Sequence, residues 1–231
     1  MAILSQDEPI STSVITESAT TQSSFLQKVY GLFLLGLMTA FVGAFVTITN
    51  PDVRMAVLTH PIIGVIVYFG VFFLCMAVRR KPGVNILALL SFTLVSGAFL
   101  APTILFAAFQ TGSMAVVLEA AIVTGSIFTG LTLYTFISKK DFSFLSGVVN
   151  VGIWAVIGIM LVNFFVKSQA ADLAISWIGS VLFSLFILYD TSRIMKTHES
   201  DEYVSGALSL FLDVINLFLF ILRILSNGRR S

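Results

Sequence analysis

The chain has 231 residues, 57% of them hydrophobic and 11% charged, with a formal net charge of +1. A soluble domain carries about a quarter charged residues, so this supply cannot cover a water-facing surface, whereas a lipid-facing one needs little charge. The near-neutral balance leaves no basic patch for nucleic acid. A single cysteine, Cys75, rules out an internal disulfide or a multi-thiolate metal site.

Residues 1–24 are polar and rich in Ser and Thr, with Asp7, Glu8 and Glu17. They have no basic start followed by an apolar core, so they do not read as a signal peptide and are expected to form a disordered tail. The remainder, residues 25–231, reads as one transmembrane domain.

Seven apolar stretches follow, at 25–48, 57–78, 85–107, 114–137, 144–166, 171–194 and 203–225. Each is near the ~20 residues a helix needs to cross ~30 Å of hydrocarbon. Turn-forming or charged clusters separate them: Asn50-Pro51-Asp52, Arg79-Arg80-Lys81-Pro82-Gly83, Gln110-Thr111-Gly112-Ser113, Lys139-Lys140-Asp141, Lys167-Ser168-Gln169, and Lys196 through Glu202. Alternation at period two is missing, which argues against a β-barrel. The predicted fold is all-α, a polytopic bundle of seven transmembrane helices. Cys75 lies within the second stretch and is read as a small buried hydrophobe. Pro61 is expected to start a helix and Pro102 to kink one. Recurrent glycines, among them Gly36, Gly43, Gly125, Gly147 and Gly158, are read as helix-packing positions.

Orientation follows from the basic residues. With the N-terminus in the cytoplasm, eight of the 13 Lys and Arg residues fall on that side: Lys28, Arg79, Arg80, Lys81, Lys139, Lys140, Arg193 and Lys196. The C-terminus is then outside. The expected location is a cell (inner) membrane, or an internal membrane if the source is eukaryotic.

Three carboxylates lie inside these stretches, where a charge costs about 2.5 kcal/mol or more and therefore marks a functional hypothesis. Glu119 is near the outer end of the fourth span, and packing or snorkelling accounts for it equally well. Asp190 is about one turn from the inner end of the sixth; the plainer alternative is an interfacial ion pair with Arg193 or Lys196. Asp213 sits near the midplane of the seventh, in Leu-Phe-Leu-Asp-Val-Ile-Asn-Leu-Phe. A hydrogen bond across the bundle is its structural alternative. The sixth and seventh spans are antiparallel neighbours, so Asp190 and Asp213 can share one interior space, offset in depth by roughly two turns.

Two carboxylates in a dry site cannot both ionise cheaply; they titrate as a unit and tend to share one proton. Loss of that proton favours separation or entry of a cation, which makes a pH-sensitive gate. Such oxygens suit Ca²⁺, but two fall short of its about six to eight ligands, so binding at Asp190 and Asp213 is expected to be transient. Asn216 shares a helix face with Asp213 and offers a carbonyl. Arg79, at the inner end of the second span, is a candidate latch to Asp190, unless Arg79, Arg80 and Lys81 only anchor a cytoplasmic loop. No cofactor signature is present.

The runs Phe186-Ile187-Leu188-Tyr189-Asp190-Thr191 and Ala207-Leu208-Ser209-Leu210-Phe211-Leu212-Asp213-Val214-Ile215-Asn216-Leu217-Phe218 resemble the C-terminal signature of the Bax inhibitor-one (transmembrane Bax inhibitor motif) family. Val95-Ser96-Gly97 and Lys139-Lys140-Asp141-Phe142-Ser143-Phe144-Leu145 add to the likeness, which covers about residues 25–225. The resemblance implies seven helices with helix 7 central and a pH-dependent Ca²⁺ leak. Asp190 and Asp213 match the family's sensor pair, Arg79 its latch and Glu119 an acid of the fourth span. An acid found in the second span of a bacterial relative is Tyr68 here. The length and tail are closer to bacterial members.

The function expected is a pH-gated cation leak, with lipid, Ca²⁺ and protons as partners and no enzymatic activity. The alternative is a non-enzymatic modulator of a membrane-bound protease. A proton-coupled transporter is weakened by the lack of inverted repeats, and a diaspartyl protease by the missing Gly-flanked motifs around both aspartates.

Overall fold

The computed structural model describes residues 10–196 and 202–228, with side chains from Gln22 onward. Among the described residues there are eight helices: α1 (Ile10–Thr49), α2 (Pro51–Thr59), α3 (Pro61–Val78), α4 (Val84–Thr111), α5 (Ala115–Ser138), α6 (Leu145–Val166), α7 (Gln169–Lys196) and α8 (Tyr203–Gly228). Seven of them, all but α2, are long and apolar enough to cross a membrane. Their outer surface is apolar, with Phe41, Ile62, Trp154 and Phe165 among the exposed side chains. In water this surface would be a liability; in lipid it is solvated.

α1 starts at Ile10, so it takes in residues 10–24 of the segment read as a disordered tail; residues 1–9 lie outside the described residues. The apolar core does begin at Phe25, which is buried. Just before it, the Gln22 side chain donates to the Met195 carbonyl at 2.6 Å, joining α1 to the end of α7.

The second span starts at Pro61, not at residue 57. Residues 51–59 form the separate helix α2 instead. Asn50 caps it, its Oδ1 accepting from the backbone N–H groups of Asp52 at 2.9 Å and Val53 at 3.3 Å. Pro51 takes the first helical position, where its missing N–H costs nothing, and Asp52 complements the helix dipole. The Asn-Pro-Asp break is thus a complete helix start. Arg54 also donates to the Ile48 carbonyl at 2.7 Å, closing the end of α1. Pro61 begins α3 as expected, while Pro102 lies inside the continuous helix α4.

Two apolar clusters fill the interior. One joins α1, α3 and α4 to the first half of α8, around Phe33, Phe92 and Phe211. It contains Cys75, fully buried as expected of a small hydrophobe. The other joins α5, α6 and α7 to the second half of α8, around Phe183, Ile187 and Leu217. α8 packs against α1, α4, α5 and α7, and α4 against α1, α2, α3, α5 and α8. Half of the most apolar stretch of each is buried, a share no other span reaches, so the seventh span divides the interior with the third.

The glycines divide into two sets. A Cβ on Gly97 would lie 1.8 Å from the Ala40 carbonyl oxygen, and one on Gly43 would lie 2.1 Å from that of Leu94. α1 and α4 therefore touch backbone to backbone, which only glycine permits. Gly125, Gly130, Gly147 and Gly158 have nothing within 4 Å of such a Cβ, so these four do not pack helices together within this chain.

Candidate functional site

α7 and α8 run antiparallel in close contact. Gly206, whose Cβ would come within 3.3 Å of Ile194 and Val29, lets the first turn of α8 settle between α7 and α1. α7 extends two residues beyond the predicted end, so Asp190 lies six residues from its last residue, and Asp213 lies ten from the first of α8. The difference of four residues is about 6 Å, one turn rather than two. The side chains reach across it, bringing the two carboxyl groups close enough to interact. Asp190 is 6% exposed and Asp213 4%.

A hydrogen bond between two carboxyl groups needs a proton on one of them, because an ionised carboxylate only accepts. The Arg193 guanidinium contacts Asp190 Oδ1 at 3.1 Å and donates to Ser209 Oγ at 3.1 Å. It thereby ties the α7 carboxylate to the helix that carries Asp213. On the other side, Asp213 Oδ2 is buried without a hydrogen-bond partner. The ring of Tyr189 lies 5.8 Å from the Arg193 guanidinium carbon.

An open cavity of about 490 Å³ lies where α7 ends and α8 begins, with Arg79, Arg193, Glu202, Ser205, Ser209 and Met76 on its walls. Arg79 ends α3, and its carbonyl accepts from the Asn85 side chain at 3.0 Å. Among the described residues, the ion pair to Asp190 comes from Arg193, not from Arg79. The latch expected of Arg79 is not closed in this arrangement, though Arg79 shares the cavity. Of the two cations weighed for an interfacial pair with Asp190, Arg193 is its partner, while Lys196 pairs with Asp141. Asn216 is half-buried and spends its side-chain N–H on the Leu212 carbonyl at 2.7 Å. Glu119, the fifth residue of α5, is at the opposite end of the bundle. Tyr68, in the position where an acid was considered, packs its ring against Phe69, Phe92 and Phe99. The described residues hold no group of three or more His, Cys, Asp or Glu side chains placed to bind a metal.

Outside the spans, ion pairs join the loops at this end of the bundle. Arg80 donates to Glu202 Oε1 at 2.9 Å and 2.5 Å, which holds the Glu202 carboxyl below its ordinary range. Lys196 pairs with Asp141, in the loop between α5 and α6, and the Ser143 backbone N–H donates to the same carboxylate at 2.8 Å. Together they bring Asp141 to about 2, the lysine contributing most. A depressed carboxyl contributes stability above its unfolded value of about 3.9. That contribution is lost as pH falls from there toward about 2. Lys196→Met is expected to move the Asp141 titration up toward 3.9, read by carbon NMR of aspartate-labelled protein in micelles. A midpoint unchanged by the substitution would show that Ser143 alone holds the carboxylate.

A family model described as "Inhibitor of apoptosis-promoting Bax1" matches residues 22–230, nearly the whole chain. The chain belongs to the Bax inhibitor-one family. Its relatives include an uncharacterized membrane protein of Vibrio cholerae, 35% identical over 203 residues and 87% of each chain. The "Golgi anti-apoptotic protein" of Vaccinia virus (strain Lister) is 31% identical over 222 residues, 95% of this chain and 92% of that one. "Bax inhibitor 1" of Schizosaccharomyces pombe is 33% identical over 228 residues, 95% of this chain and 82% of the yeast protein. The Bax inhibitor-one match takes in α3 through α8 entirely, including Asp190, Asp213 and both walls of the cavity.

Proposed function

We propose that this Bax inhibitor-one family member is a pH-gated cation leak, conducting Ca²⁺, with Asp190 and Asp213 as both sensor and constriction. The observation that supports it is the buried carboxyl pair, joined through Arg193 to an open cavity that Arg193 lines. While the pair shares a proton, the two groups attract, α7 and α8 stay together, and the passage is closed. When that proton leaves, two buried negative charges repel, and separation or a cation relieves the repulsion. Two carboxylates bind Ca²⁺ weakly enough for it to move on.

Arg193 holds Asp190 toward α8 in the closed arrangement, and Arg79 is the second cation within the cavity. The activity is transport without covalent chemistry, Ca²⁺ being cargo and not a resident cofactor. The chain lies in a cell membrane with its N-terminus and the cavity on the cytoplasmic side, since the basic residues gather there.

The deciding experiment is Ca²⁺ flux into proteoliposomes from acidic to alkaline pH, for wild type and Asp213→Asn. Wild-type flux should rise as the pair loses its proton, and the variant should show one flux at every pH. Wild-type flux no greater than that of empty liposomes throughout would sink the leak and favour a modulator of a membrane protease.

A further inference from the structure

Beside the carboxyl pair lies a group of hydroxyls that the gate just described does not use. Tyr30 on α1 places its hydroxyl within reach of Thr191 on α7 and Thr132 on α5. All three oxygens are buried, and none completes a well-formed hydrogen bond. The contrast with the other threonines is informative. Thr124 and Thr135, on the same helix as Thr132, turn back to the carbonyls of Ala120 at 2.7 Å and Leu131 at 2.9 Å. That is the ordinary way for a threonine to satisfy itself within a helix. Tyr30, Thr132 and Thr191 instead converge from three spans with their hydrogen-bonding capacity free, and Thr191 directly follows Asp190 in the chain. Buried hydroxyls in that condition bind ordered water, which needs two to four polar partners.

The cluster is also close to an aqueous surface. A second inner-face cavity, about 570 Å³, is lined by Gln22, Leu26, Phe136, Lys139, Lys140 and Ser192. The Phe136 ring packs on that of Tyr30 with centroids 5.9 Å apart, and Ser192 follows Thr191. Phe136 and Ser192 thus line the cavity and adjoin Tyr30 and Thr191.

We infer that Tyr30, Thr132 and Thr191 bind buried water and form a proton relay between this second cavity and the Asp190–Asp213 pair. The inference rests on the pair being the pH sensor. Each hydroxyl or water accepts a proton on a lone pair and releases its own to the next, so the relay ends unchanged and one proton reaches or leaves a carboxyl group. Protons thus have a route separate from the cavity of Arg79 and Arg193. The titratable and charged groups on the surrounding helices are few. α7 has Asp172, Tyr189, Asp190, Arg193 and Lys196, and α8 has Tyr203, Asp213 and Arg223. α1 has Lys28, whose ammonium sits 5.7 Å from the Tyr203 ring. α5 has Tyr134 and, at its far end, Glu119, with Lys139 capping it. α4 has none.

The test follows the infrared carboxyl band of the full chain in nanodiscs after a rapid pH jump, the band being assigned by its loss in Asp213→Asn. Tyr30→Phe and Thr191→Val keep the shape of each side chain and remove the hydroxyl. Both are expected to slow proton exchange at the pair about tenfold or more, as removal of a positioned proton-transfer group does. The equilibrium midpoint should stay where it is. Thr135→Val, which removes a hydroxyl already satisfied within its own helix, should leave the rate unchanged. Exchange as fast in Tyr30→Phe and Thr191→Val as in wild type overturns the relay while leaving the sensor standing. A shifted midpoint with an unchanged rate would make the hydroxyls structural and overturn it too. A wild type with no titrating band removes the sensor, and the relay with it.

Discussion

Gly97→Ala is expected to destabilise the bundle more than any other single-methyl change in the chain. The added carbon would meet the Ala40 carbonyl oxygen at 1.8 Å, the carbonyl carbon at 2.6 Å and Cα at 2.7 Å. These are backbone atoms in the middle of α1, so no rotamer change can relieve the clash. The helices must move apart. Separation also opens the neighbouring contact at Gly43, whose Cβ position lies 2.1 Å from the Leu94 oxygen and 3.1 Å from the Ala98 nitrogen. Overpacking a well-filled interior costs typically ~1–3 kcal/mol, and a backbone contact without room to relax belongs at or above the upper end. The measurement is thermal unfolding in detergent with size-exclusion profiles. Gly125→Ala, where nothing lies within 4 Å, serves as the control and should behave as wild type. Equal stability of the two variants would mean that α1 and α4 are not in backbone contact.

The second large effect concerns the carboxyl pair. Asp190→Asn and Asp213→Asn should each abolish the pH dependence of flux, and the double variant should behave like either single one. Asparagine keeps the size of the side chain and can still hydrogen-bond the remaining carboxyl group, but the shared proton is gone after the first substitution. Residues in one hydrogen-bonded network show interaction energies of roughly 0.5–3 kcal/mol in a double-mutant cycle, and the same cycle can be read in thermal stability. Asp190→Asn additionally takes the anion from Arg193, which retains Ser209 Oγ as an acceptor at 3.1 Å. Strictly additive effects in both readouts would show that the two groups titrate independently, and the gate would then need another origin.

Much of this architecture is legible in the chain itself. Runs of ~20 apolar residues bounded by charged or turn-forming clusters have one stable solution in hydrocarbon, because every backbone polar group must be satisfied within its own helix. The predicted spans therefore end within a few residues of the observed ones at nearly every boundary. The exception is instructive: Val57 looked like the start of a span because Met55-Ala56-Val57-Leu58 is apolar. Pro61 and the Asn50 cap instead divide the region into α2 and α3. Both signals are legible in the sequence, Asn50-Pro51-Asp52 as a break and Pro61 as a helix start, but hydropathy alone carries the span back across Pro61. Asp190 and Asp213 were likewise visible, since a carboxylate in an apolar run is costly wherever the run is placed.

Pairing was not visible in the same way. Whether Arg79, Arg193 or Lys196 serves Asp190 depends on which side chain the turns of α3 and α7 aim at it, and only the packed helices decide that for Arg193. The hydroxyls of Tyr30, Thr132 and Thr191 carry no hydropathy penalty large enough to stand out, and in sequence they are indistinguishable from Thr124 or Thr135. Their convergence depends on the rotation of three helices about their own axes. Likewise Gly97 and Gly125 look alike as letters, yet one is in backbone contact and the other meets nothing. Composition and periodicity are local properties, so they determined the solvent, the number of spans and the costly charges. Contacts between distant segments are set by packing among spans, and those the tertiary structure alone decided.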